Sequence, residues 1–174
     1  KRMGSKTARN PSFMVQSSFE RLRSESARDT SLTMLPMSKF DLFDAAKKLN
    51  IKNVRGGHMR DQLPKQPNRV ETSIINLDGS SGLGSHWVAY ADDPRGFVYF
   101  DSYGLVPPKE YLKYVDGLQN SQIWYSTLPT QTITDPPICS REVLSVLDSV
   151  SRSLTPPHKV VHEYTTSSNV LNRS

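Results

Sequence analysis

Apolar and polar positions alternate with two different periods along the chain, separated by irregular stretches. Phe40, Phe43, Ala46, Lys47 and Leu49 give an amphipathic pattern at helical spacing, and Ser38 with Asp41 resembles a capping box, so the pattern predicts a helix ending near Asn50. From Ile51 to Val70 the chain carries Gly56, Gly57, Pro64 and Pro67 among charges and reads as a long surface connection with irregular turns. The period then shortens. Thr72 to Leu77, Trp87 to Ala91, Phe97 to Phe100 and Ile123 to Tyr125 are rich in β-branched and aromatic residues and separated by Gly, Pro, Asp and Ser, which predicts strands of one sheet. Pro107 to Tyr114 opens with two prolines and predicts a short helix. Val143, Leu144, Val146, Leu147, Val150 and Leu154 form a broad apolar stripe over Ser140 to Leu154, the mark of a helix buried along most of its length.

The two ends lack such patterns. Residues 1–34 read as an arm, with one short helical stretch near Phe19 to Arg23, and residues 155–174, beyond Pro156 and Pro157, read as a second tail. A single domain over residues 35–154 remains, of class α+β: a small mixed sheet packed against a central helix that begins near Cys139. No internal repeat is visible.

Composition sharpens this division. The chain has 174 residues, one domain's worth, and only 36% are hydrophobic, below the roughly 45–50% of an ordinary globular domain. Part of the chain is therefore expected to lie outside the core. No run approaches the ~18 apolar residues of a spanning helix, and the first residues offer charge and serine in place of an apolar signal core, so a soluble protein without membrane contact is expected. One cysteine, Cys139, excludes an internal disulfide and any site needing two thiolates. The net charge is +5, and residues 1–34 carry +4 of it, with seven basic groups against three acids. Such an arm is either simply solvated or an electrostatic contact to nucleic acid, and it lacks the interleaved aromatics of a base-stacking surface.

Candidate chemistry gathers at three positions. His86 opens a predicted strand and Asp101 closes the next. If the hairpin between them is centred at Asp93 and Pro94, His86 lies directly opposite Asp101; if Asp92 to Gly96 all form the loop, Asp101 faces Trp87. Both registers leave the two side chains at one end of the sheet, where a carboxylate can orient an imidazole. Cys139 follows Asp135, Pro136 and Pro137 and precedes the apolar helix, with Thr134 or Asp135 expected to cap it. In that first turn the helix dipole, free N–H groups and a neighbouring imidazolium can lower a thiol from ~8.5 into the ~3.5–7.5 range of reactive cysteines. Trp87 is expected to pack the sheet and flank the site. His58, His158 and His162 have no ligand-spaced partners and are read as solvent-facing, with no metal site.

The order of these stretches resembles the adenovirus-type cysteine protease family, with a nearer likeness to the proteases of Maverick/Polinton virus-like elements. The matching stretches are Gly82-Leu83-Gly84-Ser85-His86-Trp87-Val88-Ala89-Tyr90, Val98-Tyr99-Phe100-Asp101-Ser102-Tyr103-Gly104, and Ile138-Cys139 opening a long helix. Asn53-Val54-Arg55-Gly56, Met59-Arg60-Asp61-Gln62-Leu63-Pro64 and Ile74-Ile75-Asn76-Leu77-Asp78 extend the likeness over roughly residues 37 to 148. The resemblance implies that His86 is the general base, Asp101 its orienting acid, Cys139 the nucleophile and Gln131 an oxyanion donor. Gln131 lies one residue further from the cysteine than is usual in the family, and Ser140 stands where the family commonly has glycine.

By the same resemblance, a monomeric cysteine endopeptidase cuts viral capsid and core precursor polypeptides near glycine, in the virion or the host nucleus. It needs no metal, and DNA and a short activating peptide are possible cofactors. Two alternatives share the fold: a protease for a ubiquitin-like modifier, and a catalytically impaired DNA- or capsid-associated protein.

Overall fold

The computed structural model describes residues 37–116, 122–135 and 137–171. In chain order the elements are α1 (Lys39–Lys48), β1 (Val54–Met59), β2 (Glu71–Asn76), β3 (Trp87–Asp93), β4 (Gly96–Phe100), α2 (Lys109–Val115), β5 (Ile123–Tyr125), α3 (Cys139–Arg152) and α4 (Pro157–Leu171). The strands form one five-stranded sheet in the order β1-β2-β3-β4-β5. It is mixed: β1 runs parallel to β2, β2 and β4 run antiparallel to β3, and β5 runs parallel to β4. The predicted α+β class, with a mixed sheet against the helix that starts at Cys139, is the architecture observed.

Alternation along the central strands sorts the core onto two faces. Trp87, Ala89 and Ala91 of β3 join Val98 and Phe100 of β4 against α1, α3 and α4. Val88, Tyr90, Phe97 and Tyr99 point the other way and pack with Tyr111, Tyr114 and Val115 of α2. Strand β2 is buried along its whole length, as a central strand covered on both faces must be. Helix α3 lies against β3 and is buried nearly all round, enclosed between the sheet, α1 and α4.

The capping box at α1 forms as the sequence predicts: Asp41 N–H donates to Ser38 Oγ, and Ser38 N–H donates to Asp41 Oδ2. Three expectations need correction. Residues 54–59, read as irregular connection, form β1, because pairing with the buried β2 outweighs the weak strand propensity of a stretch with two glycines. Residues 157–171, read as tail, form α4, whose Val160, Val161 and Tyr164 are buried in the core; Tyr164 meets Phe100 edge-on at 5.6 Å between ring centroids. Pro157 stands in its first turn, where a missing N–H costs nothing. Leu154, counted on the α3 stripe, lies past the Ser153 cap and is exposed. The basic arm of residues 1–34 lies outside the described residues.

The histidines also differ from expectation. His58 is half-buried on β1, and His158 stacks on Trp124 at 4.7 Å; His162 is exposed as read. A cavity of about 550 Å³ beside that stack, between β5 and α4, is lined by none of the candidate site residues.

Candidate active site

Three loops meet at one end of the sheet for topological reasons. The end of β2 and the start of β3 share that end because the strands are antiparallel, the end of β4 joins them, and β5, parallel to β4, ends there too. His86 immediately precedes β3, Asp101 immediately follows β4, and Gln131 lies six residues beyond the end of β5 at Tyr125. Helix α3 then brings Cys139 back across the sheet to the same place.

The hairpin register is neither of the two expected. Pairs such as Ala89 with Phe100 and Asp93 with Gly96 leave a two-residue turn at Pro94-Arg95, so Val88, not His86 or Trp87, is level with Asp101. The contact forms nonetheless, beyond the last strand pair: His86 Nε2 lies 2.8 Å from Asp101 Oδ1. That oxygen also accepts from the Tyr103 N–H at 2.8 Å, which fixes the carboxylate in a tight turn closed by Gly104 N–H on the Asp101 carbonyl. Gly104 has φ +70°, and a Cβ there would lie 2.7 Å from the Thr127 carbonyl oxygen. Glycine is thus required for the Asp101 turn and the Gln131 segment to lie side by side.

His86 is held from the other side as well. Its carbonyl accepts from Leu77 N–H at 2.8 Å, extending the ladder by one pair. Buried Asn76 accepts from the N–H groups of Asp78 and Ser85 through one oxygen, pinning the loop just before the histidine. The Tyr103 ring covers the imidazole at 4.4 Å.

With Nε2 on the carboxylate, Nδ1 is the ring nitrogen left to face the Cys139 thiol, which is near enough to the imidazole and to the backbone N–H groups of Trp87 and Ser140 for them to act on its charge. Helix α3 begins after Ile138 with no side-chain cap. Its first-turn donors are therefore open to a sulfur anion or an oxyanion. The expected cap is absent: exposed Asp135 instead accepts from Thr132 N–H at 2.5 Å within its own loop. Ser140 has ordinary dihedrals: among the described residues only Asn50 and Asn53 are non-glycines with positive φ. The position after the cysteine therefore needs no glycine for its backbone conformation.

Charge distribution follows from this packing. Burial alone disfavours a charged imidazole, yet the Asp101 and Cys139 contacts outweigh it and raise His86 to about 9. Burial likewise pushes the Cys139 thiol up, but His86 and the Trp87 and Ser140 N–H groups bring it below its ordinary value. Raised base and lowered acid favour the thiolate–imidazolium pair.

Gln131 is buried within a network not foreseen from the sequence. Its Oε1 accepts from Ser102 Oγ at 3.1 Å and its Nε2 donates to Tyr103 Oη at 3.2 Å, while its own N–H and that of Thr130 bond the Ser102 carbonyl. Gln131 thus reaches the histidine through Tyr103. Sequence reading gave no role to Ser102, Tyr103 or Asn76, although all three stand in the stretches that carry the family resemblance. Among the described residues no cluster of three metal-ligating side chains occurs.

No protein-family profile matches the chain. Among curated proteins, it is 28% identical over 83 residues to the SUMO-1 cysteine protease S273R of African swine fever virus, a match covering 45% of this chain and 30% of that protein. A second isolate's cysteine protease matches at 28% identity over 102 residues, 56% of this chain and 37% of the relative. The similarity thus spans about a third of the length of these relatives. A crystal structure of the African swine fever virus protease superposes with a TM-score of 0.42 at 14% identity, covering 88% of this chain and 79% of that one. Over the matched segments, this chain is similar to viral cysteine proteases.

Proposed function

We propose that this chain is a cysteine endopeptidase of the adenovirus-protease type, with Cys139 as nucleophile, His86 as base and acid, Asp101 as orienting carboxylate and Gln131 as oxyanion donor. The observation that carries this reading is the 2.8 Å His86–Asp101 contact with the Cys139 thiol on the same imidazole, at the uncapped start of α3. The Cys139 thiolate attacks a peptide carbonyl carbon, the carbonyl electrons move onto oxygen, and the Cys139 N–H with the Gln131 amide stabilise that oxyanion. Collapse breaks the C–N bond, and imidazolium His86 gives its proton to the departing amine. Water, deprotonated by His86, then releases the acid and restores the thiol. Asp101 holds the imidazole tautomer throughout.

The test is cleavage of glycine-containing peptides together with labelling by an electrophilic thiol probe at neutral pH. Cys139→Ala is expected to abolish both, and His86→Ala to remove selective labelling; cleavage that survives Cys139→Ala overturns the reading.

Viral capsid or core precursors as substrates, the nearer kinship to Maverick/Polinton elements, and a place in the virion or host nucleus extend the proposal from the sequence motifs. DNA contact through residues 1–34 belongs with them, and calls for an affinity that falls linearly on a log scale with salt. A second reading, cleavage of a ubiquitin-like modifier, draws on the name of the African swine fever virus relative. Hydrolysis of a modifier fusion but not of short glycine peptides favours it.

A further inference from the structure

One buried contact crosses the site without serving any step above. Thr130 Oγ1 donates to Glu142 Oε2 at 2.6 Å, with both residues about 5% exposed or less. Thr130 is the chain neighbour of Gln131, and its N–H shares the Ser102 carbonyl with that of Gln131. Glu142 lies three residues after Cys139, one turn along α3 on the same face. The two halves of the oxyanion site come from different chain segments, and this hydrogen bond joins them directly.

We propose that Glu142 is a positioning residue: by accepting from Thr130 it ties the Gln131 segment to the helix that begins at Cys139, and so sets the spacing of the two oxyanion donors. This rests on the peptidase reading. A carboxylate in the first helical turn is favoured by the helix dipole, which offsets part of the cost of placing an acid in a buried position. Burial pushes Glu142 up to about 7 and Asp135 adds to the rise, while the Thr130 hydroxyl and His86 oppose it. Buried Tyr164 of α4 is near enough to feel the Glu142 charge. Leucine or valine would fill this space without such cost; an acid here makes sense as a crosslink.

The test separates spacing from thiol reactivity in the full chain. Alkylation by iodoacetamide displaces iodide and forms no oxyanion, so it reads the thiolate alone, whereas peptide turnover reads both. Glu142→Ala and Thr130→Val are each expected to lower kcat roughly ten- to hundredfold, short of the ~10²–10³ for deleting an oxyanion donor, with KM and alkylation rate retained. Glu142→Gln, whose amide oxygen still accepts from Thr130, recovers most of the loss, and the double variant is no worse than either single one. Unchanged kcat in Glu142→Ala, a parallel fall in alkylation, or additive effects overturn the proposal. If Glu142→Ala does not fold, the Thr130 pair decides: loss in Thr130→Val with recovery in Thr130→Ser supports it, and equal turnover in the two overturns it. A wild-type chain that cleaves no peptide sinks the peptidase reading and this proposal with it, whereas a cleaving wild type with an indifferent Glu142→Ala sinks the proposal alone.

Discussion

Each catalytic candidate is shaped by neighbours that oppose burial. His86 and Cys139 are both nearly enclosed, and burial acts against charge on either; the Asp101 carboxylate and three donors on sulfur reverse both tendencies. The working pH window follows. The reactive thiolate appears below the ordinary ~8.5 of a free cysteine and stays paired with imidazolium until His86 deprotonates near 9. Alkylation rate against pH should therefore rise at a midpoint below that of free cysteine, and His86→Ala should move the midpoint up. A wild-type midpoint at or above ~8.5 contradicts the ion pair. That His86 and Asp101 stand at one end of the sheet and Cys139 at the start of a helix was legible in the sequence, because strand ends and a helix start are local features. Tyr103 over the imidazole and Glu142 behind the cysteine were not, since each matters only through a residue distant in sequence.

At the scale of elements, local rules held where an element carries its own signal and failed where a neighbour supplies it. α1 shows its capping box and α3 most of its apolar stripe, and both helices form; the buried face of α1 is Leu42, Ala46 and Leu49, with Phe40 of the predicted stripe exposed, and Leu154 lies past the end of α3. α4 opens on Pro157 just after Pro156 and carries a run of serines and threonines, and its apolar residues have meaning only against Phe100 and α3. Its contribution can be measured. Tyr164→Ala should lower unfolding free energy by about 3–5 kcal/mol, read from urea midpoints at constant slope, because a fully buried aromatic leaves a cavity between α4 and the sheet. A change below ~0.5 kcal/mol, the size of an ordinary surface substitution, would return residues 155–174 to the status of a tail. The hairpin tells a related story: its length suggested a register, but the Pro94-Arg95 turn shifted it beyond either expectation while the Asp101 turn kept the carboxylate on the histidine.

For the whole molecule, the sheet separates chemistry from a charge cluster at its opposite end. There Glu71 is buried and bonds Arg55, Tyr90, Tyr114 and the Asn68 N–H. Asp92 stands directly across from it in the β2–β3 register. Burial and then the Glu71 charge push Asp92 up to about 7. A carboxyl raised on folding binds its proton more tightly in the folded state, so its contribution to stability falls as pH rises from about 4 to 7. Asp92→Asn is expected to stabilise the protein by on the order of 2 kcal/mol at pH 7, about half the full linkage value because water screens part of the repulsion, and to make little difference below pH ~4. Equal effects at both pH values would show that Asp92 is not held against its charge.

By itself the sequence determined the mixed α+β class, the central strands, the capped α1, the buried α3 and the positions of the histidine, acid and thiol, because periodicity, capping and turn residues act within a few positions of the chain. Tertiary structure alone decided that β1 joins the sheet, that α4 closes the core, which register the hairpin takes and how the Gln131 segment is tied to α3. Those outcomes depend on contacts between segments tens of residues apart, whose energies become available only when both partners are already in place.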